Sequence, residues 1–207
     1  MPFMVDDPAC WSVPLCKTVA KGADAAANKV PTPEAAQGIL EAARRLDGQT
    51  DMIIGGCGYM WASRAHLYGQ TSTPLLTSAL EFLDIALRMT SRPVGIITWD
   101  AVPLVRLLKE QPGFERLRFV SIRDLPECAK WVLDPYAQEQ PCGWSKERMA
   151  EQLIDRLTMA FANNQVFEDV GILVLECTLV PDFRRAIRSV TRVPVLDLLH
   201  FVKAALE

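Results

Sequence analysis

A short apolar run that ends on a cysteine occurs twice in this chain, and the two copies stand 120 residues apart. The first is Asp51-Met52-Ile53-Ile54-Gly55-Gly56-Cys57-Gly58 and the second is Gly171-Ile172-Leu173-Val174-Leu175-Glu176-Cys177-Thr178. Each apolar run has the length and flanks of a buried strand. At the same offset Arg64 falls on Arg184, Thr71 on Thr191, Pro74 on Pro194 and Leu76 on Leu196, without a gap. Few residues are identical, yet the order agrees: apolar strand, Cys, helix, Thr, short strand opened by Pro, helix. The chain therefore reads as two related halves, each presenting one thiol at a strand end.

The rest of the sequence alternates the same two elements. Thr32 is an N-cap, Pro33 takes the first helical position, and Ala35, Ala36, Ile39, Leu40, Ala43 and Leu46 recur at helical spacing. Strands are expected at 13–20, 52–55, 74–76, 94–98, 117–122, 171–177 and 194–196, with Pro14 opening the first or lying on an edge. Helices are expected at 59–68, from Ser78 to Met89, at 101–110, from Ser145 along Met149, Leu153, Leu157 and Phe161, from Pro181 to Val190, and at the end to Ala205. Residues 124–144 read as a long irregular insertion with one helical turn, anchored by Trp131 and Trp144. Ser91-Arg92-Pro93 breaks the pattern, which sets the halves at 1–91 and 92–191. The second half has two strands before its cysteine strand and the first half only one. Either the first half lost a strand or the start site truncates a longer protein. Strands alternating with helices mean an α/β fold with mainly parallel sheets covered on both faces.

Composition excludes several functions. A net charge of −3 and a pI near 5.5 give no basic footprint, so a nucleic-acid partner is not expected. No apolar run approaches the roughly 20 residues that span a bilayer. The start, Met-Pro-Phe-Met-Val-Asp-Asp-Pro, has no basic head and apolar run, so no signal peptide is expected and a cytoplasmic location follows. The six cysteines, at 10, 16, 57, 128, 142 and 177, form no Cys-x-x-Cys, and only His66 and His200 accompany them. Neither a disulfide framework nor a metal site is expected. Cys10, Cys16, Cys128 and Cys142 read as buried or incidental thiols.

In parallel α/β sheets ligands sit beyond the carboxyl ends of the strands. Cys57, Thr98, Cys177 and Asp197 all fall there and can converge on one cleft between the halves. A cysteine between a strand end and a helix start lies near backbone N–H donors and the positive end of the helix dipole, which favours thiolate. Two thiols on opposite sides of a carbon acid suit inversion of a stereocentre. One removes a proton as thiolate and the other returns one to the opposite face, with no cofactor. Thr178, Thr98 and the amides after each cysteine are candidates to stabilise the enolate. Each has a bland alternative. Thr178 and Asp197 are also good N-caps, Tyr59 either meets substrate or packs, and Glu176 should point away from its cysteine.

Gly-Gly-Cys57-Gly58-Tyr59, Leu-Glu176-Cys177-Thr178 and Pro194-Val195-Leu196-Asp197 resemble the aspartate/glutamate/hydantoin racemase superfamily. The resemblance runs from about residue 13 to the end. It implies two pseudo-symmetric Rossmann-like halves with the active site between them, and a C-terminal strand and helix (192–207) that return to the first half. It implies cofactor-independent racemisation with Cys57 and Cys177 as the catalytic thiols. Thr178, Gly58, Tyr59, Thr98 and Asp197 then surround a small-molecule substrate, carboxylate-bearing or hydantoin-like, and a homo-oligomer is compatible with this arrangement. Gly58-Tyr59 stand where amino-acid racemases of the superfamily have Asn-Thr, which points away from free aspartate or glutamate. Two competing readings are a single-cysteine lyase or hydrolase of the same fold, decarboxylase-like and working through Cys177, and a non-catalytic ligand-binding relative.

Overall fold

The structure, a computed structural model, describes residues 4–23, 32–133 and 141–206. Among these, six strands form two parallel sheets. β1 (Ile53–Ile54) pairs with β2 (Leu75–Leu76). β3 (Val94–Thr98), β4 (Leu117–Ser121), β5 (Ile172–Leu175) and β6 (Val195–Asp197) form the second sheet in the order β4-β3-β5-β6. Parallel neighbours need crossovers, and helices supply them. They are α1 (Pro33–Leu46), α2 (Arg64–Leu67), α3 (Leu83–Met89), α4 (Ala101–Leu108), α5 (Pro126–Leu133), α6 (Lys146–Ala160), α7 (Arg184–Val190) and α8 (Leu198–Leu206).

The internal repeat is visible in the hydrogen-bond ladders. Ile53 stands opposite Leu75 and Ile54 opposite Leu76. In the larger sheet Leu173 stands opposite Val195 and Val174 opposite Leu196, the same register displaced by 120 residues. The Cys57 carbonyl accepts from the Met60 N–H at 3.0 Å, and the Cys177 carbonyl from the Val180 N–H at 3.1 Å. A 3₁₀ turn follows each cysteine, Gly58–Ser63 and Val180–Phe183, and passes into α-helix at Arg64 and at Arg184.

The core follows strand alternation. Val94 and Ile96 of β3 and Ile172 and Val174 of β5 meet Leu80, Leu83, Leu104 and Leu198 on one face. Ile97, Leu173 and Leu175 meet Met149, Leu153 and Leu157 of α6 and Ile187 of α7 on the other. All five residues of β3 and all four of β5 are buried, as expected of central strands covered on both faces.

Three expectations need correction. Residues 13–20 form no strand. Val19 is 82% exposed, and the segment is held by α1, where Arg45 donates to the Val19 carbonyl at 2.8 Å and to the Thr18 hydroxyl at 3.1 Å. Part of the 124–144 insertion is helical. Pro126 opens α5, and Trp131 packs edge-on against Trp144 at 6.1 Å; residues 134–140 lie outside the described residues. The C-terminal strand pairs with β5 and belongs to the second sheet, whereas its helix does reach the first half. There Leu199 packs with Val5 and Cys10, and the Phe201 ring lies 4.9 Å from that of Phe82.

Candidate active site

The two cysteine turns touch. The Thr178 hydroxyl donates to the Gly56 carbonyl at 3.4 Å. A Cβ built on Gly58 would lie 1.9 Å from Glu176 Oε1 and 2.6 Å from the Glu176 carbonyl oxygen, so only glycine fits there. Gly56 meets Thr178 and Gly58 meets Glu176. The tripeptides therefore cross in opposite directions, with Cys57 and Cys177 at the crossing.

Their side chains have different surroundings. Residues 172, 174 and 176 share one face of β5 and its continuation, and 173, 175 and 177 the other. Cys177 accordingly packs into the core under α6 and α7 and is 5% exposed. Cys57 is half-buried against the opposite core. Burial pushes the Cys177 thiol well above its ordinary value, the charge of Glu176 adds to this, and the Leu179 N–H offsets only part. The expected preference for thiolate is not met at Cys177. The turn after it is a 3₁₀ segment of four residues, too short to build a macrodipole that could outweigh desolvation. None of the six cysteines is in a disulfide.

Glu176 takes the direction that strand alternation gives it. It does point away from Cys177, but that direction faces the Cys57 turn. The Thr98 hydroxyl donates to Glu176 Oε2 at 2.6 Å, with both residues buried. Burial raises the Glu176 carboxyl from its ordinary 4.5 to about 7, against the pull of the Thr98 hydroxyl and the Trp99 N–H. The signal was legible: Val94, Ile96 and Thr98 on β3 share a face with Ile172, Val174 and Glu176, and parallel pairing of these strands brings Thr98 beside Glu176.

The other candidates divide. Thr98 is a carboxylate binder, but the carboxylate it holds is that of Glu176. Tyr59 is buried and its hydroxyl donates to the Asp100 carbonyl at 2.6 Å; burial, then Glu176, raises its pKa. Thr178 and Gly58 lie at the crossing. Asp197 does not join them: it is buried at the end of β6, pairs with Arg184, and caps α8 through the His200 N–H at 2.8 Å and the His200 ring at 2.9 Å. Its counterpart Thr77 donates to Glu81.

A cleft of about 1410 Å³ lies between β1, α1, α8 and the 13–20 segment. Gly55, Gly56, Cys57 and Thr77 form part of its wall, and Cys177 does not. The described residues contain no group of three or more His, Cys, Asp or Glu able to hold a metal ion, and no helix long and apolar enough to cross a membrane.

No family model matches the chain, and no curated protein matches it in sequence. Among solved structures it is similar to an allantoin racemase from Klebsiella pneumoniae, with a TM-score of 0.50 and 24% identity. The match covers 83% of this chain and 66% of that chain, so the chain spans just under two thirds of the racemase's length. The chain thus has an α/β fold with mainly parallel sheets, shared with this racemase.

Proposed function

We propose that the protein is a cofactor-independent racemase or isomerase that uses Cys57 and Cys177 as its acid/base pair on a small carboxylate-bearing or hydantoin-like substrate. The observation that carries this reading is the crossing of the two turns, which brings together the two cysteine positions related by the internal repeat. The shared fold supports it. Allantoin, the compound named for the similar structure, places the hydantoin-like end of the class first for assay.

In this reading one thiolate takes the proton from the stereocentre while the C–H electron pair moves into the adjacent carbonyl as an enolate. The other cysteine, as thiol, delivers its proton from the opposite face. N–H groups of the two turns and the Thr178 hydroxyl supply donors to the enolate oxygen. The turns are in contact at Gly56 and Thr178, so substrate entry requires them to part. Division at about residue 91 fits such a motion, because each half carries its own cysteine turn.

The test is deuterium wash-in at the stereocentre of racemic and single-enantiomer hydantoins in D₂O. Wild type should exchange and invert, and Cys57→Ser and Cys177→Ser should each lose at least about a hundredfold in inversion, the usual scale for one acid/base group. Inversion that survives both changes sinks the two-thiol mechanism. One observation favours a second reading, a single-cysteine lyase or hydrolase with Cys57 in place of Cys177 as the working thiol: of these two cysteines, only Cys57 lines the cleft. It expects Cys57→Ser to abolish activity and Cys177→Ala to be nearly silent.

A further inference from the structure

The two-thiol reading assigns no role to the one carboxyl buried at the crossing. Glu176 is 2% exposed and its polar partners are the Thr98 hydroxyl and the Trp99 N–H, with no cation among the groups that shift it. An ionised carboxyl held this way is disfavoured, because two neutral donors repay only part of its desolvation. Buried structural carboxylates elsewhere in the chain look different. Glu127 is met by Lys130 and Arg148, and Asp197 by Arg184 and His200. Glu176 has instead the environment of a group that gains and loses a proton.

We propose that Glu176 is the proton-holding partner of Cys57: its carboxylate takes the Cys57 thiol proton and returns it during turnover. The geometry is that of the crossing. Glu176 Oε1 points at Gly58, the residue next to Cys57, at a separation that leaves no room for a Cβ. Strand alternation sends Glu176 to the face where Cys57 packs and sends Cys177 to the other. In the transfer the Cys57 S–H bond breaks, the electron pair stays on sulfur, and an O–H bond forms on Glu176. The pair keeps a single negative charge in both arrangements, so the buried site is never asked to hold two.

The charged and titratable groups around Glu176 are few. Tyr59 faces it from the 3₁₀ turn, and burial keeps that phenol protonated. Asp100 beyond β3 pairs with Arg123. Asp197 on β6 is held by Arg184 and His200, and Glu81 by Thr77 and Tyr68. Cys177 stays a thiol through the neutral range. The carboxyl that titrates near neutrality, raised to about 7 chiefly by burial, is therefore Glu176 itself.

The proposal rests on the two-thiol reading only in placing Cys57 at a working site, and its test uses no turnover, so the two can fail separately. Alkylation by iodoacetamide is followed between pH 5 and 10 with peptide-resolved mass spectrometry, which reads Cys57 apart from the exposed Cys16 and Cys142. In wild type the Cys57 rate should rise through a step near pH 7 to a plateau, then rise again at higher pH. Glu176→Gln should abolish the step and lower the upper midpoint by about one unit, roughly tenfold in thiolate below it. Thr98→Val, which removes the hydroxyl that favours the charged carboxyl, should move the step upward. A wild-type profile with one rise and no step overturns the proposal, and so does a step that persists in Glu176→Gln. If Glu176→Gln does not fold, the wild-type step and its displacement in Thr98→Val decide the matter.

Discussion

At the residue scale the site is decided by one absent side chain. Gly58 lets the Cys57 turn press against Glu176, and no positive φ is involved, so the requirement is space alone. Alanine at 58 would collide with both the carboxyl and the backbone oxygen of Glu176. The carboxyl can swing aside, but the backbone must shift. Overpacking of this kind costs about 1–3 kcal/mol. Gly56, two residues earlier in the same turn, has nothing within 4 Å of the place a Cβ would take and serves as the control. Urea unfolding should show Gly58→Ala destabilised by that amount and Gly56→Ala by clearly less. Equal losses would show that the crossing is looser than described.

At the element scale much was legible in the sequence. Ser145 caps α6 through the Arg148 N–H, as its position before an apolar stripe announced, and Thr32 caps α1 through the Ala35 N–H. The apolar runs of β3 and β5 were found because central parallel strands are continuous in hydrophobicity. What sequence could not give was pairing. Residues 13–20 have strand composition, but β1 is two residues long and offers little ladder for them to join. The α5 helix was hidden because its stabilisation is tertiary. Glu127 accepts from Lys130 at 2.7 Å, Arg148 at 2.7 Å and the Ser145 N–H at 2.9 Å, tying α5 to the start of α6. Burial alone would raise the Glu127 carboxyl, yet these donors more than offset it and hold it near 2, below the ordinary 4.5. A depressed carboxyl adds stability that is complete above about pH 4.5 and disappears as pH falls toward 2. Urea midpoints measured from pH 6 to 2 should fall steeply in wild type and less steeply in Glu127→Gln, which lacks the titrating group. Parallel slopes would remove Glu127 from the account of acid stability.

At the scale of the whole molecule the two copies of one motif have unequal support. β5 is paired on both sides, by β3 and β6, whereas β1 is paired by β2 alone. The repeat places the same strand-Cys-turn unit in a four-stranded sheet in one half and a two-stranded sheet in the other. Two-stranded sheets have little stability of their own, and here β1 depends on packing from its surroundings. Cys57 therefore stands on the softer half and Cys177 on the firmer one, which suits the parting of the turns proposed for substrate entry. Local stability of this kind is measurable because amides exchange through the cheapest opening that frees them. The Ile53 N–H bonds the Pro74 carbonyl at 2.9 Å and the Gly55 N–H bonds the Leu76 carbonyl at 2.9 Å. Their counterpart in the larger sheet, the Leu173 N–H, bonds the Pro194 carbonyl at 2.8 Å. These lengths are nearly equal, so a difference in exchange would report sheet support rather than bond geometry. Native-state hydrogen exchange should show Ile53 and Gly55 exchanging at least about tenfold faster than Leu173, a gap of roughly 1.4 kcal/mol in opening free energy. Equal protection at the two positions would mean that the halves open as one unit, and parting of the turns would then require global unfolding.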